Sequence, residues 1–290
     1  MGLKKQGLFD VINYSLILFV CIVMIYPFVN VASVSFSSYH AYVQNPLMIW
    51  PHDISFRAYE EIMSRSLLWS SYLNTIIVTV TGVTVGIMMY ILAGYSLSKR
   101  VLKGRRTIMV LVVFTMLFNG GLIPNFYLMR SLGLLDSLAA LVLPALFSGF
   151  SLILMINFFQ SLSEEIEESA RMDGASDPVI LFRIIVPLSK PIIATLCLFS
   201  AVGYWNNFFN AVIYIHSSSK WPLMLYLREV IVGASMIAAN ANSAEMGADQ
   251  VVSETLKYAT LMLVMIPILC VYPFLQKYFV KGIMLGSVKG

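Results

Sequence analysis

Six long apolar runs, set apart by shorter polar stretches, organise this chain: approximately residues 11–34, 71–97, 107–129, 138–159, 191–215 and 258–276. Each is near or above the roughly 20 residues that an α-helix needs to cross a bilayer core. None contains Asp, Glu, Lys, Arg or His. The runs do not alternate apolar and polar side chains, as barrel strands of about 10 residues would. The pattern predicts an all-α polytopic membrane protein with six transmembrane helices, forming one integral domain over residues 1–290.

Breaks in the pattern carry local expectations. Gly82 and Gly86, four residues apart, suit close approach of another helix. Pro124, just after Asn119-Gly120-Gly121, should break or bend the third run near its outer end. The longest connection, about 216–257, contains a stretch rich in Ala, Asn and Ser at 233–249. It fits either a loop or a loosely packed helix.

Composition sharpens the class. The chain is 59% hydrophobic and 12% charged, about half the charge of a soluble domain. Of its 19 Lys and Arg, 13 fall at the amino terminus, in the second and fourth connections and in the tail; the other 6 fall in the alternate connections. The positive-inside rule then places both termini in the cytoplasm, as in a multi-pass cell-membrane protein. The net charge of +4 follows from this bias and implies no nucleic-acid partner, since no basic stripe is present. Lys4-Lys5 and Val31-Ala32-Ser33 mimic parts of a signal peptide. The first run is longer than the usual apolar region of about 7–15 residues, so it reads as a retained span. Cys21, Cys197 and Cys270 all lie within the runs and read as small buried apolar residues rather than a redox or metal set.

Missing chemistry narrows the function. There is no G-x-x-x-x-G-K-[ST] loop, so the chain should not hydrolyse ATP itself. No metal-ligand spacing occurs, and His40, His52 and His216 lie outside the runs. No nucleophilic or paired-carboxylate site falls within the runs, so no enzyme activity is expected. Ion-coupled carriers place ionisable or ion-coordinating groups near the midplane, and channels often use charged rings. Six charge-free runs leave uphill transport to be driven by a partner.

The most informative segment is the connection at 161–190. Ser161 or Ser163 can cap a helix, with Ser161 and Glu164 at capping-box spacing. Glu164, Glu165, Glu167 and Glu168 suit the positive end of its dipole. Glu167 and Arg171 are spaced for an i,i+4 ion pair. Ile166 and Ala170 share one face. Gly174 fits the left-handed residue that ends the helix. Ser176 or Asp177 can cap the next helix, with Pro178 at its start, and Leu181 and Ile185 share a face.

Glu168-Ser169-Ala170, Gly174 three residues later, and Ile184-Ile185-Val186-Pro187 nine residues after that resemble the EAA signature of ABC importer permeases. Ser stands for the first Ala and Val for Leu. Softer matches are Ala93-Gly94-Tyr95-Ser96-Leu97-Ser98-Lys99-Arg100, Gly104-Arg105-Arg106, Tyr204-Trp205-Asn206, Trp221-Pro222-Leu223 and the tail from Gln276 to Gly282. These look like carbohydrate-uptake permeases of the maltose-transporter type, in particular the polysaccharide (aldouronate-type) branch.

That resemblance implies a type I ABC importer permease fold, with 161–190 as the coupling elbow. Glu168, Ser169, Ala170, Asp173, Gly174, Ile184 and Pro187 would then couple to the ATPase. It further implies a heterodimer with a second permease, two ATP-binding subunits holding ATP and Mg, an extracytoplasmic solute-binding lipoprotein and a sugar substrate. The chain itself would carry no cofactor. A tail at 281–290 would reach toward the ATPase.

Sugars are held by aromatic faces and hydrogen-bonding side chains. Tyr204, Trp205, Asn206 and Asn210 in the fifth run, with Asn119 and Tyr127 in the third, are therefore the candidate substrate path; Asn125 is a further polar neighbour. Helical spacing would point Asn206 and Asn210 the same way, with Trp205 close to Phe209. Two alternatives are an ABC permease for another solute and a stand-alone channel or carrier.

Overall fold

A computed structural model describes residues 8–240 and 255–271 of the chain. The described residues fold almost entirely as helices: α1 (Leu8–Ser35), α2 (Tyr39–Gln44), α3 (Arg57–Ser64), α4 (Ser66–Ser98), α5 (Arg105–Leu117), α6 (Leu122–Ser131), α7 (Ala139–Val142), α8 (Gly149–Ser161), α9 (Glu164–Met172), α10 (Asp177–Ile180), α11 (Val186–Leu188), α12 (Lys190–Trp205), α13 (Phe208–Tyr214), α14 (Leu223–Asn240) and α15 (Thr255–Val271). A π-helical turn, Leu181–Ile185, joins α10 to α11. The tail at 281–290 lies outside the described residues. So does the later part of 233–249; its first residues extend α14.

Among the described residues, only α1 and α4 are single helices long and apolar enough to cross a membrane. At 33 residues, α4 is roughly 50 Å long, more than a hydrocarbon core requires. It stops at Ser98, where the basic stretch beginning at Lys99 takes over.

The third, fourth and fifth runs are not straight spans. Three helix pairs are sharply bent: α5 and α6 by 114°, α7 and α8 by 51°, and the helical stretch Asp177–Leu188 against α12 by 79°. The break in the third run precedes Pro124, which sits in the first turn of α6. Its missing N–H costs nothing there. Gly121 makes the break instead, with φ 85° and ψ 174°, a conformation essentially confined to glycine. The fifth run also divides, at Asn206-Asn207, between α12 and α13.

The described chain packs as two units. One comprises residues 8–68 together with 227–240 and 255–266; the other comprises 69–226 with 267–271. In the first unit, α1 is exposed along most of its length, including Phe9, Leu16, Phe19, Ile22 and Phe28. A helix apolar on every side is not a water-facing element; lipid or another subunit must cover it. Its far end is fixed by Val34, Ala41 and Met48, with Tyr42 and Tyr258 against them. Asn30 donates to the carbonyls of Pro46 (3.0 Å) and Met48 (2.9 Å). Cys21 and Cys270 are exposed and Cys197 is half-buried, so none of the three is the fully buried apolar filler expected.

In the second unit, α4 is the spine. The Tyr204 ring lies against Gly82, where an added Cβ would come within 2.3 Å of it. This explains the first of the two small residues. Polar groups of α4 hold the backbone before α14. Asn74 donates to the carbonyls of Ser219 (2.9 Å) and Trp221 (3.1 Å), and Thr75 Oγ1 accepts from the Leu223 N–H at 2.8 Å. Irregular backbone next to membrane helices is tolerated when such groups satisfy it.

Candidate functional site

The elbow is mounted on the largest apolar cluster of the second unit. Tyr90, Tyr95 and Leu97 of α4, Leu152, Met155 and Phe159 of α8, Ala170 of α9, and Ile180, Leu181, Ile185 and Leu196 pack together. For Ile180, Leu181 and Ile185, which lie in the connection rather than in a run, full burial away from water stabilises by roughly 1.5–3 kcal/mol each, so the elbow is a packed element rather than a solvated strap.

Local sequence explains its shape. Ser163, not Ser161, caps α9: its hydroxyl accepts from the Glu165 N–H at 3.3 Å. Ser161 instead ends α8, donating to the Phe158 carbonyl at 2.7 Å. Glu164, Glu165 and Glu167 fill the first turn of α9, where anions are favoured. Gly174 follows with φ 82°, and the Ala175 N–H bonds back to the Ala170 carbonyl at 3.0 Å, closing the turn as a left-handed C-cap does. Ser176 then precedes Asp177 and Pro178 at the start of α10.

The expected Glu167–Arg171 pair is absent among the described ion pairs. Arg171 reaches forward to Asp177 at 2.9 Å, and Glu167 is taken by Lys99 and by the Tyr95 hydroxyl. Glu167 points inward with Ala170, one turn apart. Ile166, expected to share a face with Ala170, is exposed, whereas Ala170 is buried.

The remaining elbow residues separate by side. Glu168, Ser169, Asp173 and Gly174 are exposed, as is Pro187; Ile184 is half-buried and Ala170 buried. Ala170 therefore holds the elbow to its own core and offers no outward contact. Glu164, Glu165, Glu168 and the 88%-exposed Met172 form the outward face.

The candidate substrate-path residues do not form one constellation. Tyr204 is buried and donates to the Val142 carbonyl at 3.3 Å. Trp205 ends α12 with its indole N–H buried and unbonded. Asn206 is exposed and donates to the Val202 carbonyl at 2.9 Å. The break after it removes the continuous helix on which shared facing of Asn206 and Asn210 was argued, and with it the Trp205–Phe209 spacing; Asn210 is half-buried in α13. Asn207 donates to the Leu141 carbonyl at 3.3 Å. Asn119 accepts from the Gly121 N–H at 2.9 Å, helping to turn the chain, and Tyr127 and Asn125 are exposed on α6. A cavity of about 280 Å³ is lined by Tyr90, Ser148, Ser151, Phe199, Ser200 and Tyr204 among others. Of the six path candidates it includes Tyr204 alone. Its serines gave no sequence signal, because single hydroxyls in an apolar run look like ordinary span residues.

Among the described residues no group of acidic, His and Cys side chains could hold a metal ion. Comparison with known proteins completes the picture. Residues 82–285 match the family model for the binding-protein-dependent transport system inner membrane component. The chain is 43% identical to the polygalacturonan/rhamnogalacturonan transport system permease protein YtcP of Bacillus subtilis (strain 168), covering 99% of this chain and 100% of that protein. It is 41% identical to Protein LplC of the same organism, over 99% and 97%. A solved bacterial ABC transporter involved in the import of the acidic polysaccharide alginate contains a chain that is 36% identical. That chain superimposes with a TM-score of 0.86, covering 96% of this chain and 99% of that one. With its charge-poor helices, absent nucleotide loop and packed elbow, this chain belongs to the family of binding-protein-dependent transport system inner membrane components, the non-catalytic membrane subunits of ABC transporters.

Proposed function

We propose that this chain is the permease subunit of an ATP-driven importer of oligosaccharides. It crosses the cell membrane six times with both termini cytoplasmic, as one integral permease. It pairs with a second permease, two ATP-binding subunits that hold ATP and Mg, and an extracytoplasmic solute-binding lipoprotein. It forms part of a path that opens alternately to either side as ATP binding shifts the populated state.

The observation that carries this reading is the elbow. A short helix is fixed inward by Ala170 and Glu167 while presenting Glu164, Glu165, Glu168 and Met172 outward. An acidic helix with an apolar tip suits a groove with a basic rim, the helix-in-groove mode of recognition. Glu168, Ser169, Asp173 and Gly174 form the contact; Ala170, Ile184 and Pro187 set the elbow's pose.

The substrate class follows from relatives named for polygalacturonan/rhamnogalacturonan transport and alginate import: fragments of a polysaccharide. Trp205, Asn206, Asn119 and Tyr127 are the path residues with free surface or an unused N–H. The six runs hold no cation, so a sugar carboxylate would find its counter-charge on the second permease.

The test is the complete complex in proteoliposomes with a panel of oligogalacturonides. Stimulated ATP hydrolysis and uptake are expected, along with loss of ATPase copurification in Glu168→Lys. Stimulation by an amino acid or phosphate instead would favour a non-sugar permease. Uptake without any ATPase would favour a stand-alone carrier.

A further inference from the structure

The four carboxylates of α9 occupy different surroundings. Glu164, Glu165 and Glu168 are exposed, whereas the Glu167 side chain is only 15% exposed. A carboxylate withdrawn this far from water needs a counter-charge and donors. It has both. Lys99, just beyond the last residue of α4, forms an ion pair with it. The Tyr95 hydroxyl, one turn earlier on α4, donates to the same oxygen at 3.2 Å. The Lys99 ammonium also lies over the Tyr95 ring, 4.4 Å from its centre, a favourable cation–π position. Beside this triad, Gln160 near the end of α8 donates to the Ser98 carbonyl at 3.2 Å.

The other ion pair of the elbow, Arg171–Asp177, has side chains 54% and 67% exposed. Exposed pairs contribute little. Apolar packing around Ala170 is non-directional and lets surfaces slide. A charge-assisted, partly buried hydrogen bond fixes position.

We propose that Lys99, Tyr95 and Glu167 form a latch through which the end of α4 and the elbow helix α9 move as one body. Glu167 is then a positioning residue for coupling, distinct from the outward Glu168. This rests on the reading of the elbow as the ATPase-docking element. Displacement of α9 by the ATPase would be handed directly to the 33-residue α4, without slack.

The experiment uses the complete complex in proteoliposomes. Glu167→Gln keeps the shape and hydrogen-bonding capacity of the side chain while removing its charge. The expected result is normal copurification of the ATPase, with oligogalacturonide-stimulated hydrolysis falling by roughly fivefold or more, the lower end of inter-site coupling effects. The swap Lys99→Glu with Glu167→Lys should restore most of the stimulation. Spin labels at Ser96 and Glu165, both exposed, should keep one separation between nucleotide-free and ATP-bound states, and lose it in Glu167→Ala. The latch is overturned by unchanged stimulation in Glu167→Gln, by a swap no better than either single variant, or by a label separation that changes while the pair is intact. Loss of assembly in Glu167→Gln also overturns it, making Glu167 a docking or folding residue. Failure of the elbow reading appears separately, as normal ATPase binding by Glu168→Lys.

Discussion

Gly174 and Asp136 each hold a backbone conformation that most residues avoid, for different reasons. Gly174 has φ 82°, and nothing lies within 4 Å of the position a Cβ would take. Substitution there meets strain and no clash. Gly174→Val should cost about 1–2 kcal/mol from the left-handed conformation alone, whereas Gly174→Asn should keep most of the stability. Thermal denaturation of the detergent-purified chain would read the difference. Asp136 sits at φ 55° because its carboxylate is fully occupied. It accepts from the backbone N–H groups of His216 (3.0 Å) and Ser217 (2.8 Å), the Ser217 hydroxyl (2.5 Å) and Lys220 Nζ (3.2 Å). The hydrogen bonds from Ser217 above all hold its pKa well below the usual carboxylate range. A folded-state pKa below the unfolded one gives stability that is complete above the ordinary carboxylate range and is lost as pH falls toward the folded value. Asp136→Asn should therefore melt lower than the native chain at neutral pH. The gap should close only in acid below that ordinary range; a gap that closes between pH values of roughly 5 and 8 would contradict the assignment.

At the scale of elements, the interrupted helix at α12 and α13 is the feature with most to say about transport. Asn207 bridges the break to the Leu141 carbonyl, while Asn206 serves only the carbonyl of Val202 within its own helix. Asn207→Ala should thus cost about 1 kcal/mol of stability and Asn206→Ala much less; equal losses in melting temperature would show that the break is not held from Leu141. Trp205 supplies a sharper separation. Its indole N–H is buried without a partner, so Trp205→Phe removes an unpaired donor and should leave stability unchanged or raise it. If that N–H is kept for a sugar hydroxyl, the same variant should weaken uptake, read as a higher KM. Unaltered uptake kinetics would place the path elsewhere, with the Tyr204- and serine-lined cavity the next position to probe.

For the whole molecule, the proposed topology makes a direct prediction. Cysteines placed at exposed positions 100 and 176 should react with a membrane-impermeant reagent only from the cytoplasm. Those at 45, 133 and 218 should react only from outside. Any reversal would sink the six-span, cytoplasmic-termini reading. The exposed apolar length of α1 has a consequence at the same scale. Isolated from lipid and from the second permease, the chain should aggregate in detergent more readily than the assembled complex, as size-exclusion chromatography would reveal.

The chain by itself determined the membrane class, because charge-free runs longer than 20 residues or so have few other uses. It determined the family, because the spacing from Glu168 through Gly174 to Pro187 is a local pattern set by a helix, a left-handed turn and a second helix. Gly174 was legible for that reason: its role needs only its neighbours in sequence. The interior of the runs was not legible. Pro124 and the glycines before it announced the break in the third run, but hydropathy averages over a window, so the breaks at residues 146–148 and at Asn206-Asn207 vanish into otherwise apolar stretches. Helical periodicity then placed Asn206 with Asn210 across a break it could not detect. Partners distant in sequence were equally hidden. Glu167 had Arg171 four residues away, yet the fold offers it Lys99 and Tyr95, about seventy residues earlier, because α8 returns the chain beside α4. Local spacing states which contacts a helix allows; tertiary packing decides which of them a partly buried charge takes, since desolvation makes the best-placed cation outweigh the nearest one in sequence.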